Sequence, residues 1–387
     1  MEKGRGNIMD IKVQGIRVVA PVFDQSGYGK ASRDRIQLLF KSKIPVWIQP
    51  ISFEKDRPDL GEEGQFLEGL CRTPHPYDIN YVRLSPEIAI NYMDPSAVNI
   101  ICFAWETSLL DPHWVDCVNK FDGAIVESAF TKKACLDSGV TIPVFIVHHQ
   151  VETEIFKPKT EPNLDGVYSF YSIQQWTERK NGLGLLKSYF NAFRYNDNVR
   201  LILKTYLSRV EVNIDQGKNI KEDIANLKRS LNLPWDLPPV YLITDKLSDQ
   251  EIIKMHEDCD CYVLLDRGEG WGLPFAAAAA AGNMVIAPDF GGTREFLNET
   301  NSSCVSGQPT YVSNMTWSPY YRGNQLWFDP NLIHAAAAMR LAYENRSAAF
   351  EMGQNARKDM ELRFNFEMVR TELLKTIAKI TARKRSK

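Results

Sequence analysis

The chain has 387 residues, with 46 Lys plus Arg against 48 Asp plus Glu, a formal net charge of −2, and 44% hydrophobic and 24% charged residues. At ~100–200 residues per domain this allows two domains, and so ordinary a balance excludes wholesale disorder and collagen-like or low-complexity chains. The near-zero charge speaks against a constitutively basic nucleic-acid binder, leaving only a local patch, and no apolar run reaches the ~18–20 residues of a membrane-spanning helix.

The opening segment MEKGRGNIMDIKVQG (1–15) has no apolar h-region, so no secretory leader is expected. From there, short apolar, β-branched runs recur: IRVVAPV (16–22), IPVWIQPI (44–51), VNIICFAW (98–105), GAIVES (123–128) and VFIVHH (144–149). A second series follows: VYSFYSI (167–173), VRLILKTY (199–206), PVYLIT (239–244), CYVLLD (261–266) and MVIAPD (284–289). Near-continuous apolar strands with helices between them predict parallel sheets covered on both faces, and two series predict two doubly wound α/β domains. The polar, Pro-containing stretch FKPKTEPNLDG (156–166) between them reads as a linker. The expected organisation is an N-terminal domain over 1–160, a second over 161–365, and a C-terminal helix with the basic tail ARKRSK over 366–387. Helices are expected at HAAAAMRLAYENR (334–346) and FEMVRTELLKTIAKI (366–380). The seven Cys include no CxxC and no Cys/His set with zinc spacing, and the closest pair is Cys259/Cys261, which predicts reduced thiols in a cytoplasmic protein.

The segment DRGEGWGLPFAAAAAAGNMVIAPDFGGTREF (266–296) reads as strand end, Gly-rich turn, helix and next strand. Gly268, Gly270 and Gly272 allow a close backbone approach to a ligand. Pro274 opens a helix continued by Ala276–Ala281, whose free N–H groups form an anion site suited to a diphosphate. Glu269 stands at the mouth, at the carboxyl end of a strand, where open α/β sheets bind ligands. A carboxylate there accepts hydrogen bonds from sugar hydroxyls more readily than it meets a phosphate.

EGWGLPFAAAAAAG resembles the EGFGLPxxEAMAxG segment of retaining GT-B glycosyltransferases of the GT4 type (glycosyl transferases group 1). Further matches follow in order: GYGKASRD (27–34) as a Gly-rich loop, FAWETSLLDPHW (103–114), VESAFTKKACLDSGV (126–140) with S-x-F-x-K, and VHHQVETEIFKP (147–158) against PHGVDxxxFxP. QQWTERKNGLGLLKSYF (174–190) and LILKTY (201–206) resemble the segments with phosphate-binding cations, so the likeness runs over residues 16–365. The resemblance implies a GT-B fold: two Rossmann-like domains facing a central cleft, the second holding a nucleotide sugar, and a final helix returning to the first.

It also implies roles. Glu269 is the first Glu of the E-x7-E pattern and contacts the donor sugar. Arg179, Lys180 and Lys204, at carboxyl ends of neighbouring strands, converge on the diphosphate. Gly270, Trp271, Gly272, Leu273, Gly291 and Gly292, with Thr293 and Glu295 beside them, shape the donor pocket, and Gly27, Tyr28 and Gly29 reach the phosphate or the acceptor from the other domain. Trp105, Glu106 and His149 are acceptor-side candidates, Trp105 by stacking on a sugar; His148 reads as structural. The second Glu, which usually contacts the ribose, is here Ala277. The expected activity is retaining transfer of a sugar from a nucleoside diphosphate sugar to an acceptor hydroxyl, with the leaving phosphate as base, no cofactor and no metal. The acceptor is a glycan or lipid-linked glycan, with a protein or a modified DNA base as the other options. The basic tail leaves open a weak peripheral membrane contact. The alternatives are a non-catalytic nucleotide-sugar-binding or scaffold protein, for which Ala277 speaks, and a phosphorylase or epimerase on the same fold.

Overall fold

A computed structural model describes residues 13–54, 57–207, 216–232, 236–316 and 318–386. Residues 1–12 of the opening segment and Lys387 of the tail lie outside the described residues. The chain divides into two units, one formed by residues 1–150 and 364–387, the other by 151–363.

Unit 1 alternates strands and helices: β1 (Ile16–Ala20), α1 (Gly27–Phe40), β2 (Val46–Pro50), α2 (Gly61–Arg72), β3 (Ile79–Arg83), α3 (Pro86–Ala89), β4 (Val98–Cys102), α4 (Pro112–Val118), β5 (Gly123–Val126), α5 (Ala129–Asp137) and β6 (Val144–Ile146). The sheet is wholly parallel, in the order β2-β1-β3-β4-β5-β6. Parallel strands need long crossovers, and the helices supply them. β3 (INYVR) is absent from the predicted strands because two of its five residues are polar. Both are buried and partnered: Asn80 donates to the Tyr92 carbonyl at 2.8 Å and to Asn99 Oδ1 at 2.7 Å, and Arg83 pairs with Glu127 at 2.8 Å. An apolar-run criterion cannot see a strand whose polar side chains are compensated inside the fold.

Unit 2 contains β7 (Tyr168–Gln175), α6 (Gly182–Ala192), β8 (Val199–Tyr206), α7 (Gln216–Ser230), β9 (Val240–Ile243), α8 (Asp249–Asp258), β10 (Cys261–Val263), α9 (Leu273–Ala280), β11 (Met284–Pro288), β12 (Ser303–Val305), β13 (Gly307–Tyr311), β14 (Leu326–Pro330), α10 (Leu332–Glu344) and α11 (Arg346–Arg363). Its six-stranded parallel sheet runs β12-β11-β10-β7-β8-β9. Counted within the unit this is the doubly wound order 3-2-1-4-5-6, which reverses between β7 and β10; ligands bind at the carboxyl ends of strands flanking such a switch. β12 and the antiparallel hairpin β13–β14 were not expected from the sequence. SCV is very short, and GQPTY, carrying Gly and Pro, lies mostly exposed.

The division falls after Gln150, ahead of the sequence boundary at 160. Residues 151–157 are not free linker. Val151 and Phe156 pack with Ile253, Ala277, Ala280 and Ala281, Arg357 donates to the Thr153 carbonyl at 3.0 Å, and Lys157 N–H donates to Glu257 at 2.8 Å.

The last helix, α12 (Phe366–Arg385), lies in unit 1. Val369, Leu373, Ile377 and Ile380 join the core that holds Val18, Ile36, Ile100 and Ile125. Two tail cations are paired within the unit, Lys384 with Asp122 and Arg385 with Asp78, both at 2.8 Å. No described helix is long and apolar enough to cross a membrane. Because Ile377 is fully buried, Ile377→Ala is expected to destabilise unit 1 by about 2–5 kcal/mol, read as a lower urea midpoint in denaturation followed by circular dichroism.

Candidate functional site

The candidate site of unit 2 forms at the switch between β7 and β10. The loop after β7 carries Arg179 and Lys180, and the loop after β10 carries Asp266 and Glu269. Both loops are braced by backbone hydrogen bonds: Arg267 N–H donates to the Arg179 carbonyl at 2.7 Å, and Gly292 N–H donates to the Glu269 carbonyl at 2.7 Å. A Cβ on Gly292 would lie 1.9 Å from the Gly270 carbonyl oxygen, so only glycine permits this approach. Gly291, with φ +84°, makes the turn that brings it in.

Glu269 is 8% exposed. Its Oε1 meets Arg179 Nη1 at 3.2 Å and also pairs with the Lys180 ammonium. Arg179 Nη1 donates in addition to the Gly268 carbonyl at 2.7 Å. Burial works to raise the Glu269 carboxyl, but Lys180 and Arg179 outweigh it and hold the group below its ordinary value, hence ionised at neutral pH. The structure thus brings together Arg179, Lys180 and Glu269, residues some 90 positions apart.

Asp266 was not singled out from the sequence. It is 3% exposed, and its Oδ2 has no hydrogen-bond partner among the described residues. Burial first, and the Glu269 charge second, push its carboxyl up to about 7. The available signal was a second acidic residue three positions before Glu269, at the end of an apolar run.

Leu273 opens α9, whose N-cap Gly272 (φ +94°) provides no side-chain cap, so the first-turn N–H groups stay available. Trp271 is 3% exposed and packs on Phe296 at 4.9 Å, an anchor for the turn. Lys204, at the end of β8, is buried and forms no ion pair among the described residues; burial lowers its ammonium pKa, with Asp245 opposing. Ala277 packs in the apolar cluster of Phe156, Ala280 and Ala281. Arg267 ties the hairpin to this region: it pairs with Glu178 at 2.8 Å and Asp329 at 3.4 Å, and lies 5.6 Å over Trp327.

Among the described residues, Asp289, Glu299 and Cys304 converge with metal-ligand spacing. The Arg294 guanidinium already engages all three, at 2.9 Å, 2.9 Å and 2.6 Å, and so supplies the positive charge itself.

The other predicted site residues lie in unit 1. Gly27, Tyr28 and Gly29 start α1, after the N-cap Ser26; a Cβ on Gly29 would sit 2.0 Å from the Asp24 carbonyl oxygen. Trp105 departs from the expected sugar platform. It is 2% exposed, its indole N–H donates to the Leu109 carbonyl at 2.8 Å, and its ring packs 4.6 Å from Trp114, which leaves no open face. Glu106, half-buried, raises the Tyr28 phenol after burial does. His149 is 5% exposed, 3.7 Å from Glu127; burial, then Arg83 and Arg35, hold it far below its usual value, so it is neutral. His148 is structural, paired with Glu372 of α12 at 3.2 Å.

Residues 237–359, roughly a third of the chain, match the family described as glycosyl transferases group 1. No curated protein matches. Among solved structures, the sucrose-phosphate synthase of Thermosynechococcus elongatus superposes with a TM-score of 0.69 at 14% identity, over 95% of this chain and 99% of that one. HepE of Anabaena in complex with UDP-glucose gives 0.68 at 12% identity, over 94% and 99%. A TarM mutant of S. aureus, in complex with fondaparinux, alpha-GlcNAc-glycerol and UDP, gives 0.58 at 15% identity over 76% of this chain; the chain matches only 55% of the TarM length. The chain therefore has the GT-B fold, and the residues that match the group 1 family model lie within unit 2.

The raised Asp266 carboxyl has a thermodynamic sign. The folded state keeps a proton that the unfolded state has lost between the ordinary carboxylate value of 3.8 and about 7, so stability falls as pH rises through that window. Asp266→Asn removes the effect. Its Tm relative to the native chain is expected to rise by several degrees between pH 5 and pH 8, at about 2–4 °C per kcal/mol, in thermal melts at both pH values.

Proposed function

We propose that the chain is a GT4-type glycosyltransferase that moves a sugar, with retention of configuration, from a nucleoside diphosphate sugar to an acceptor hydroxyl. The observation that carries this reading is the meeting of Arg179 and Lys180 with Glu269 at the sheet's switch point. The uncapped N-terminus of α9 stands just downstream of it in the chain.

In this reading the diphosphate takes the two cations and the N–H groups of the α9 entrance. Arg179 supplies paired donors and Lys180 a point charge. Charge growing on the leaving oxygen is stabilised by groups already in place, the electrostatic contribution that dominates many active sites. Glu269, held ionised, accepts hydrogen bonds from sugar hydroxyls. Lys204, buried and in no ion pair among the described residues, gains a close counter-charge when an anion binds. The leaving phosphate takes the acceptor proton on the same face, so no protein nucleophile is required. Arginine, lysine and helix dipole supply the positive charge, and no metal enters the scheme.

Since HepE is described in complex with UDP-glucose, uridine diphosphate sugars are the first donors to test. Tyr28, Glu106 and the neutral His149 are the acceptor-side groups this reading assigns. A glycan or lipid-linked glycan is the acceptor class it favours. Ala277, in an apolar setting, offers no carboxylate to the ribose; this favours the second reading, a nucleotide-sugar-binding protein without turnover.

The test is nucleoside diphosphate release over time from a panel of nucleotide sugars, with and without glycan acceptors. Glu269→Ala and Arg179→Ala are each expected to lower turnover by at least about 10²–10³-fold, with unchanged circular dichroism. Full activity in both overturns the site assignment. Binding without release across the panel, acceptors included, supports the non-catalytic reading.

A further inference from the structure

Arg179 and Lys180 stand among two carboxyls, and the two carboxyls are not equivalent. Both cations are committed to Oε1 of Glu269. Asp266, on the same loop, forms no ion pair within 4 Å among the described residues, and its Oδ2 is buried without a partner. The groups that face it are Glu269, Lys180 and Arg179, the backbone N–H of Gly268, and Tyr262 of β10, whose neutral phenol donates to the Ile173 carbonyl at 3.1 Å. A buried carboxylate with an unpartnered oxygen is costly, and the cations beside it are what make its charge tolerable.

We propose that occupation of Arg179 and Lys180 by a donor diphosphate is coupled to uptake of one proton by Asp266, so that donor affinity depends on pH near neutrality. The proposal rests on the donor-site reading given above. The bound diphosphate consumes the compensation that the two cations lend to Asp266 and adds negative charge of its own. The carboxylate answers by taking a proton from solvent onto an oxygen; no other bond forms or breaks. Burial and the neighbouring Glu269 already bring this carboxyl to about 7 in the unoccupied site, so it is partly ionised at physiological pH and has a proton to gain. Glu269, more strongly held by both cations, stays ionised.

The experiment is calorimetric titration of the full chain with UDP-glucose, or with the tightest binder of the panel, in phosphate and in Tris at about pH 7.5. A sugar diphosphate diester has no group of its own titrating between about pH 6 and about pH 8.5. The heats are expected to differ between the buffers by the equivalent of more than about half a proton per site, and Kd to weaken towards about tenfold per pH unit above pH 7. Asp266→Asn, or Asp266→Ser where the former does not fold, is expected to give equal heats and a flat Kd. Lys204→Met is expected to bind more weakly yet keep the buffer difference. Equal heats for the native chain overturn the proposal and leave the donor-site reading standing. A buffer difference that survives in the Asp266 variants, or vanishes only in Lys204→Met, also overturns it. No binding by any nucleotide sugar overturns the donor-site reading and this proposal with it.

Discussion

The buried contact between Glu269 and the Arg179–Lys180 pair is the constraint around which unit 2 is arranged. It joins the ends of two strands that neighbour each other only because the order of the sheet reverses between them. Burying three charges costs several kcal/mol per ion, recovered only when geometry and extra hydrogen bonds are good. The structure supplies them: Arg179 reaches the Gly268 carbonyl, Arg267 N–H the Arg179 carbonyl, and Gly292 N–H the Glu269 carbonyl. The glycines at 291 and 292 bring the next loop close enough to lock the arrangement. Removing one partner of such a cluster strands the others, at about 3–5 kcal/mol, so the same contact serves packing and chemistry.

Unit 1 shows the same economy with a different composition. Arg83, Glu127, His149 and Cys102 meet at the carboxyl ends of β3, β4, β5 and β6, all of them nearly inaccessible. Arg83 bonds both Glu127 at 2.8 Å and the Cys102 sulfur at 2.7 Å. Burial first, and the two guanidinium groups nearby second, disfavour a charged imidazole, and His149 stays neutral.

Ten strands and the helix opened by Pro274 were legible in the sequence because apolar runs and Gly-rich turns report burial and chain reversal locally. The structure places strands at every one of those runs. β3 escaped because Asn80 and Arg83 are compensated by partners from other elements, β12 because it is three residues long and β13 because it is exposed. At the site, Glu269 and the cations were legible as motif members. Their mutual ion pairing was not, since it joins residues some 90 positions apart. Trp105 illustrates the opposite error. A strand end suggested an open ring, but Leu109 and Trp114 close over it, and nothing in the local pattern distinguishes the two.

The placement of α12 has a consequence for how the chain assembles during synthesis. Unit 2 is one continuous stretch, 151–363, and has all its parts as soon as that stretch has emerged. Unit 1 begins first yet finishes last: until Val369, Leu373, Ile377 and Ile380 are made, the core they share with Val18, Ile36, Ile100 and Ile125 is incomplete. The usual order, in which the N-terminal domain matures first, is inverted here. A nascent chain halted before residue 364 holds a unit 1 with one side of its core open to water, which makes that half of the protein the one that calls for protection while translation continues.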